Sequence, residues 1–257
     1  MIKMILMDVD GTLIPEGESE LEEGLIDVIK ELQKKVYRFA VASGRAFKSL
    51  VNTFGEIKDS LLFLGDSGTC VFNGDGELLK SIALDKDDAK YIYDIVTNHP
   101  CAEILLGTGL TSYVYPKSKE FLHLMRDIKK TPIVEIKCFD DIKEAITKIS
   151  SYCPDDYENF KKMMVEKGRT SYHIEASGVD WVDYSKGNKA DGIAFMCEML
   201  QVDPKDCMYF GDSHNDLEAL RMVGYPVVME IAAEAMLNEF EHHATSVKSE
   251  LEKLLNA

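Results

Sequence analysis

The turn Asp8-Val9-Asp10-Gly11-Thr12 follows a short, mostly apolar run at residues 1–7, and it decides how the rest of the sequence is interpreted. A short and nearly continuous apolar run is typical of a buried strand in a parallel sheet, because both faces of such a strand are covered. Two aspartates leave the carboxyl end of this strand, and Gly11 permits a sharp turn after them. Ligands of open α/β sheets bind outside the carboxyl ends of the strands, so we expect a polar site here.

The two carboxylates of this turn are two residues apart and would repel each other when both are ionised. A divalent cation removes this repulsion and leaves one carboxylate oxygen free to attack a substrate. The alternative is an ordinary turn with two solvated aspartates. Residues further along the chain favour the first interpretation.

Composition limits the class of protein. The 257 residues suffice for one large domain or two moderate ones, and the 46% of hydrophobic residues can fill a core. The formal net charge of −16 argues against nucleic-acid or anionic-membrane partners. The six cysteines are scattered, which favours reduced thiols and a cytoplasmic location. No run reaches the ~18 apolar residues of a membrane span, and the first run is too short for a secretory signal.

Strand-like and helix-like segments alternate along both ends of the chain. The predicted strands there are 1–7, 36–42, 61–64, 207–210 and 227–229, and the predicted helices are 21–35, 46–57, 189–200, 217–223, 232–240 and 247–255. This alternation predicts an α/β fold with a doubly wound, parallel, Rossmann-like core sheet. Asn73-Gly74-Asp75-Gly76 between two apolar segments indicates a hairpin.

The pattern changes between residues 84 and 183. The predicted helices there are 85–98, 117–129, 141–150 and 155–166, and the predicted strands are 103–106, 111–115, 133–139, 170–176 and 180–184. None of these strands ends in a pair of acidic residues. We therefore predict an inserted α+β domain over 84–183 and a core domain formed by 1–83 together with 184–257.

Three more polar clusters follow predicted strands or begin predicted helices of the core domain. They are Ser43-Gly44, Lys189 and the segment Gly211-Asp212-Ser213-His214-Asn215-Asp216. Each cluster alone has an ordinary explanation as a loop turn, a solvated lysine or a helix cap. Together with the first turn, and in this order, they form a specific set.

The four motifs resemble those of the haloacid dehalogenase superfamily of phosphotransferases, and the resemblance covers essentially the whole chain. The insertion between the second and third motifs resembles the large α/β cap of the Cof-type branch. The resemblance implies that this cap determines substrate specificity. Ala190 stands after Lys189 where the family usually has glycine, and Lys186-Gly187 is a rival third motif. We favour Lys189 because the apolar Ile193 follows four residues later. Gly65-Asp66-Ser67-Gly68 replaces the Asn-Gly that is usual at the cap entry.

The resemblance implies that Asp8 is the nucleophile that attacks phosphorus and forms an aspartyl-phosphate, which divides one difficult displacement into two. It implies that Asp10 is the general acid for the leaving oxygen and later the general base for water. The implied cofactor is Mg²⁺, held by Asp8, the main-chain carbonyl of Asp10 and Asp212, because an oxygen-rich site suits this ion.

The resemblance also implies a set of contacts to the substrate phosphate. The Ser43 hydroxyl, the N–H groups around Gly44 and the Lys189 ammonium would bind its oxygens. Asn215 would add an amide donor, and Asp216 would orient Lys189 or a metal-bound water. This local positive lining reconciles phosphate binding with the acidic composition. We expect Arg45, next to this loop, to pair structurally with a carboxylate.

The expected protein is a magnesium-dependent phosphatase of a small phosphorylated metabolite resembling a sugar phosphate, acting as a monomer or weak homodimer. A cap that closes on the sheet would exclude water and macromolecules, which favours a small substrate. One alternative is a phosphomutase, for example of a hexose phosphate, which shares the nucleophile. Another is a phospholigand-binding protein without activity, although such a protein has no need of a second acid such as Asp10.

Overall fold

The computed structural model describes residues 1–15, 18, 20–129, 131–168, 172–177 and 179–256. The chain forms two compact units, one of Met1–Lys80 with Lys189–Ala257 and one of Ser81–Asn188. These boundaries differ from the predicted ones, since a boundary at 183/184 would cut a strand at 181–185 that pairs entirely within the second unit. Within the described ranges, no helix has the length and apolar character needed to cross a membrane.

The elements are named here in chain order. The strands are β1 (Met4–Asp8), β2 (Arg38–Ala42), β3 (Leu61–Gly65), β4 (Cys70–Asn73), β5 (Leu78–Ser81), β6 (Glu103–Gly107), β7 (Ser112–Tyr115), β8 (Ile133–Glu135), β9 (Lys148–Tyr152), β10 (His173–Ala176), β11 (Trp181–Ser185), β12 (Cys207–Gly211), β13 (Tyr225–Met229) and β14 (His243–Ala244). The helices are α1 (Leu25–Lys34), α2 (Phe47–Phe54), α3 (Lys86–Asn98), α4 (Lys119–His123), α5 (Tyr157–Lys167), α6 (Lys189–Leu200), α7 (Leu217–Met222), α8 (Glu234–Glu239) and α9 (Val247–Asn256).

The first unit contains an eight-stranded sheet in the order β14-β13-β12-β1-β2-β3-β4-β5. The central strand β1 runs parallel to both neighbours, with Asp8 opposite Ala42 and Met7 opposite Phe210. The carboxyl ends of β1, β2 and β12 therefore meet at one edge of the sheet. The mixed α/β fold with a parallel core sheet confirms the predicted fold class.

Both faces of this sheet are covered, which explains the nearly continuous apolar sequence of β1. Ile5 and Met7 pack in the cluster that contains Ile29 of α1 and Leu251 of α9. Met4 and Leu6 point to the opposite face and pack in the cluster that contains Ile193 of α6. Alternate side chains of one strand thus join two separate cores, as a doubly wound sheet requires.

The second unit is built on a six-stranded sheet in the order β10-β11-β9-β6-β7-β8, and its pairs are antiparallel except for β7 with β8. Helices α3 and α5 cover one face, where Ile92 and Phe160 join the cluster of Ile149. Helix α4 lies on the opposite face, where Phe121 packs with Trp181.

The predicted helix over 141–150 is wrong. The spacing of Ile142, Ile146 and Ile149 matches one face of a helix, and all three side chains are indeed buried. However, residues 148–152 form β9, which pairs with β6 on one side and β11 on the other. Strand pairing on both sides overrides the local pattern because it satisfies the backbone groups of a buried segment.

Other element boundaries also differ from the predictions. The helix predicted over 117–129 is α4 followed by a π-helical turn over Leu124–Ile128, and the strand predicted over 133–139 is limited to β8. The strand predicted from residue 36 begins at Arg38, because Val36 adopts φ 73° and closes α1. The predicted strand 170–176 corresponds to β10, and Thr170 and Ser171 lie outside the described residues.

Candidate active site

The turn after β1 lies directly against the turn after β12. Gly11 adopts φ +88°, and a Cβ atom placed on it would lie 2.4 Å from Asp212 Oδ2. Only glycine combines this left-handed backbone with so close an approach. Beside it, Thr12 Oγ1 donates a hydrogen bond to Asp212 Oδ1 at 2.8 Å. The first and fourth motifs are therefore joined by direct contact.

Lys189 begins α6 and lies at the centre of the cluster, with only 2% of its side chain exposed. Its Nζ donates to Asp8 Oδ1 at 2.6 Å, to Asp216 Oδ1 at 2.6 Å and to Asn215 Oδ1 at 2.9 Å. The three N–H donors of the ammonium thus have three acceptors. The rival Lys186 instead has an exposed side chain, which pairs with Asp85 at 3.2 Å.

Asp216 is fully buried, and both oxygens of its carboxylate accept hydrogen bonds. Oδ1 receives the Lys189 ammonium and the Tyr209 hydroxyl, the latter at 2.5 Å. Oδ2 receives the backbone N–H groups of Asp212 and Ser213, both at 3.1 Å. Hydrogen bonds to an ionised acceptor are stronger than neutral ones, so this carboxylate is a rigid support for Lys189.

Tyr209 is a member of this network that the sequence analysis missed. It lies in the buried strand β12, where a tyrosine is first interpreted as a core residue. A buried tyrosine hydroxyl needs a hydrogen-bond partner. Because Tyr209 lies only two residues before Gly211, the fourth motif could have been recognised as the source of that partner. Burial raises the pKa of Tyr209, and the charge of Asp216 raises it further, so the phenol stays protonated as a donor.

The cluster carries more negative than positive charge. Burial raises the pKa of Asp8 well above its usual value, and the carboxylates of Asp216 and Asp212 add to this effect while Lys189 opposes it. Burial alone would lower the pKa of Lys189, but Asp216 and Asp8 together raise it above the ordinary value. Burial also raises the pKa of Asp212. Three carboxylates therefore surround one ammonium, and a further cation or a protonated acid is needed to balance them.

These residues fit a divalent cation. Asp8, Asp212 and Asp216 each offer a carboxylate oxygen, and these oxygens lie within 4.8 Å of one another. Hard cations such as Mg²⁺ prefer oxygen ligands of this kind. Both oxygens of Asp216 already accept hydrogen bonds, so Asp8 and Asp212 are the better candidates for direct ligation.

The second motif lies at the same edge of the sheet, immediately after β2. Ser43 is 1% exposed, and its hydroxyl oxygen accepts the backbone N–H of Arg45 at 3.2 Å. Its own N–H donates to the Leu64 carbonyl at 2.8 Å, while its carbonyl accepts the N–H of Ser67 at 3.1 Å. The Ser43-Gly44 loop is thus fixed by the adjacent strand and by the turn that follows it.

That following turn is strained. Asp66 and Ser67 adopt φ values of 47° and 58°, which are unfavourable for residues other than glycine. The Asp66 N–H donates to the Arg45 carbonyl at 3.1 Å. The departure from the family's usual Asn-Gly therefore coincides with a strained backbone that supports the second motif.

Asp10 lies apart from the Lys189 network. Its side chain is 56% exposed, and both carboxylate oxygens accept hydrogen bonds from Arg45, one from Nε at 2.9 Å and one from Nη2. This two-point contact fixes the orientation of the carboxylate. The carboxylate expected to pair with Arg45 is therefore that of Asp10.

The sequence model that describes the family of haloacid dehalogenase-like hydrolases matches residues 5–250 of this chain, a range that includes all four motifs. The chain belongs to this family. The resemblance inferred from the motifs, with its Cof-type insertion, is thereby confirmed. As a haloacid dehalogenase-like hydrolase, the chain is an enzyme.

Individual relatives of this haloacid dehalogenase-like hydrolase are similar over nearly their whole length. The 5-amino-6-(5-phospho-D-ribitylamino)uracil phosphatase YbjI of Escherichia coli is 24% identical over 256 residues, covering 95% of this chain and 91% of that protein. The HMP-PP phosphatase of an Enterobacter species is 23% identical over 255 residues, covering 94% and 89%. A crystal structure from Eubacterium rectale has 27% identity and a TM-score of 0.89, covering 98% of this chain and 99% of its own.

Proposed function

We propose that this protein is a magnesium-dependent phosphatase that hydrolyses small phosphorylated metabolites through an aspartyl-phosphate. The observation that carries the proposal is the buried contact of Asp8 with the Lys189 ammonium at the carboxyl edge of the sheet. A buried carboxylate with a raised pKa, paired with a specific cation, is a common feature of functional sites. The names of the two curated relatives support the reaction class.

In the first step, an oxygen of Asp8 attacks phosphorus as the bond from phosphorus to the leaving oxygen breaks. The hydrogen bond from Lys189 holds the Asp8 carboxylate in one orientation, which favours in-line attack. Asp10 gives its proton to the leaving oxygen, so that the substrate departs as an alcohol.

In the second step, water replaces Asp8 on phosphorus. Asp10, now ionised, accepts a proton from the attacking water, and the bond between phosphorus and the Asp8 oxygen breaks. Inorganic phosphate leaves and the Asp8 carboxylate is restored. The fork of Arg45 on Asp10 supports this role, because the two-point contact fixes the orientation of the carboxylate.

Four groups are proposed to bind the phosphoryl oxygens. They are the Ser43 hydroxyl, the N–H at Gly44, the Lys189 ammonium and the side-chain amide of Asn215. The Asn215 carbonyl oxygen accepts from Lys189, which leaves the NH₂ group to act as the donor to phosphate. Asp216 accepts a hydrogen bond from the Lys189 ammonium and orients it.

We propose that Mg²⁺ is held by Asp8, the main-chain carbonyl of Asp10 and Asp212. When bound, the ion supplies positive charge that neutralises the transferring phosphoryl oxygens. The negative excess of the cluster and the raised pKa values of Asp8 and Asp212 support this assignment.

The substrate class is proposed from the relatives and from the insertion. The Escherichia coli relative is named for a phosphorylated ribityl compound, which is a phosphorylated polyol chain. We propose that the unit Ser81–Asn188 is the cap that determines specificity and that the substrate resembles a sugar phosphate. We further propose that the enzyme works in the cytoplasm as a monomer or weak homodimer.

The test is phosphate release from sugar phosphates, nucleotides, pyridoxal phosphate and an aryl phosphate, with magnesium and with a chelator. Asp8→Asn should abolish magnesium-dependent release, whereas Asp27→Asn, on the exposed face of α1, should retain it. Turnover by Asp8→Asn equal to that of the wild type would contradict the proposal. Transfer of phosphate to a second sugar hydroxyl, with little free phosphate, would instead identify a phosphomutase.

A further inference from the structure

Tyr209 is buried within the candidate active site but has no place in the proposed reaction. It lies at the middle of β12, with no exposed surface, and its hydroxyl donates to Asp216 Oδ1. The same oxygen accepts the Lys189 ammonium at 2.6 Å. One carboxylate oxygen is thus shared by a fixed neutral donor and by the cation of the site.

The sharing matters because Lys189 is held between two carboxylates. Its Nζ lies 2.6 Å from Asp8 Oδ1 and 2.6 Å from Asp216 Oδ1, so small changes in either acceptor move the ammonium. A carboxylate oxygen that already accepts one hydrogen bond has less lone-pair capacity for a second donor. The Tyr209 hydroxyl therefore limits how strongly Asp216 attracts Lys189.

We propose that Tyr209 is a positioning residue that keeps the Lys189 ammonium on Asp8, and so on the transferring phosphoryl group. The inference rests on the proposed phosphatase function and deepens it. Without the hydroxyl, Asp216 Oδ1 has Lys189 as its remaining donor on that side and draws the ammonium away from Asp8. The cation that binds phosphate is then displaced, while the proposed metal ligands Asp8 and Asp212 keep their positions.

The test is Tyr209→Phe, which removes only the hydroxyl from a packed ring. We expect kcat/KM for a sugar phosphate to fall by about tenfold, the typical effect of losing one hydrogen bond to a charged group. The inhibition constant for inorganic phosphate should rise by a similar factor, because Lys189 binds phosphate in the proposed mechanism. The magnesium concentration for half-maximal activity should stay within about twofold of the wild-type value.

Tyr172→Phe is the matched control. Tyr172 is also buried, and its hydroxyl lies 2.8 Å from a carboxylate oxygen of Asp85 and 2.7 Å from one of Asp88, but it belongs to the second unit. This variant should leave kcat/KM and the phosphate inhibition constant unchanged. The comparison separates the loss of a phenol from the loss of this particular contact.

A crystal structure of Tyr209→Phe gives a readout that does not depend on activity. We expect the distance from Lys189 Nζ to Asp8 Oδ1 to lengthen beyond hydrogen-bond range. Unchanged kinetics with an unmoved Lys189 would overturn the inference, as would an equal loss of magnesium affinity, which indicates general damage. Failure of the phosphatase proposal itself is distinguishable, because Asp8→Asn would then retain the activity of the wild type.

Discussion

Two buried lysines, one in each unit, make opposite uses of charge. Lys148 on β9 pairs with Asp183 on β11 at 3.1 Å, each side chain is 8% exposed, and the charges of this pair cancel. Lys189 instead contacts Asp8 and Asp216, so that it faces more negative charge than it can balance. A balanced buried pair holds a fold together, whereas an unbalanced cluster is incomplete without a ligand. This difference supports the proposal that the Lys189 cluster, and not the Lys148–Asp183 pair, is the functional site.

The largest expected effect is the difference in activity between variants of Lys189 and of Lys186, three residues earlier in the chain. Lys189→Met should lower kcat/KM by about 10³-fold, because a preorganised charge on the phosphoryl oxygens is lost. Lys186→Met should stay within a few-fold of the wild type, since its exposed side chain pairs with Asp85. The measurement is kcat/KM of both variants with one sugar phosphate, obtained by steady-state kinetics. Equal losses in both variants would reopen the choice of the third motif.

The Lys148–Asp183 ion pair should contribute to the free energy of unfolding of the second unit. Asp183→Asn removes the negative charge that contacts the buried Lys148 ammonium, and we expect a loss of about 3 kcal/mol in the free energy of unfolding. Trp181, the only tryptophan of the chain, lies on the same strand β11 and reports this unit. Urea unfolding followed by its fluorescence is the measurement. A stability equal to that of the wild type would remove the contrast between the two lysines.

The ion pair of Arg45 with Asp10 should affect substrates unequally. Arg45→Met releases the Asp10 carboxylate, so proton transfer to the leaving oxygen becomes less efficient. We expect kcat/KM to fall about tenfold more for a sugar phosphate than for an aryl phosphate, whose leaving group needs little protonation. The ratio of the two kcat/KM values is the readout. The same fall for both substrates would show that Arg45 does not act through Asp10.

A strained residue far from the cluster gives the smallest effect. Val36 closes α1 in a Schellman arrangement, with its N–H donating to the Gln33 carbonyl and that of Tyr37 to the Leu32 carbonyl. Valine is unfavourable at φ 73°, and its side chain is 83% exposed, so little packing is lost on removal. Val36→Gly should therefore raise the free energy of unfolding by about 1 kcal/mol without changing kcat/KM. A decrease in chemical-denaturation stability would contradict this.

Sequence reasoning succeeds where the chain order of a parallel sheet decides proximity. Asp8 ends β1, Ser43 follows β2 and Asp212 follows β12, and adjacent parallel strands bring their carboxyl ends to one edge. Lys189 is the first residue of the predicted helix and of α6, so its position at the start of that helix could also be predicted from the sequence. The roles of these residues remain proposals, although their proximity is a property of the structure.

The remaining features depend on tertiary contacts that local patterns do not contain. The hydroxyl of Tyr209 reaches Asp216 only because β12 turns that side chain toward α6. The pairing of β9 with β6 and β11 overrides the helical spacing of its isoleucines. Val36 is the exception, because its side chain favours a strand but local backbone hydrogen bonds at the end of α1 decide its conformation.

The buried Asp8 carboxylate should affect the stability of the protein even when no substrate is present. Asp8→Asn removes a buried charge that lacks full compensation, and the asparagine carbonyl can still accept from Lys189. Because burial raises the pKa of Asp8 in the folded state, that state keeps the proton to a higher pH than the unfolded chain, whose value is about 3.9. The contribution of Asp8 to the stability of the wild type therefore falls as the pH rises above about 4, and the variant escapes this fall.

The most direct measurement is the free energy of unfolding of wild type and Asp8→Asn with a chelator present, followed by circular dichroism from pH 4 to pH 8. We predict that the variant is more stable by about 1–2 kcal/mol at neutral pH and that its advantage shrinks toward pH 4. Asp27→Asn, as the exposed control, should differ from the wild type by no more than about 0.5 kcal/mol. A variant less stable than the wild type at neutral pH would show that Asp8 serves the fold as Asp183 does, and would contradict the account.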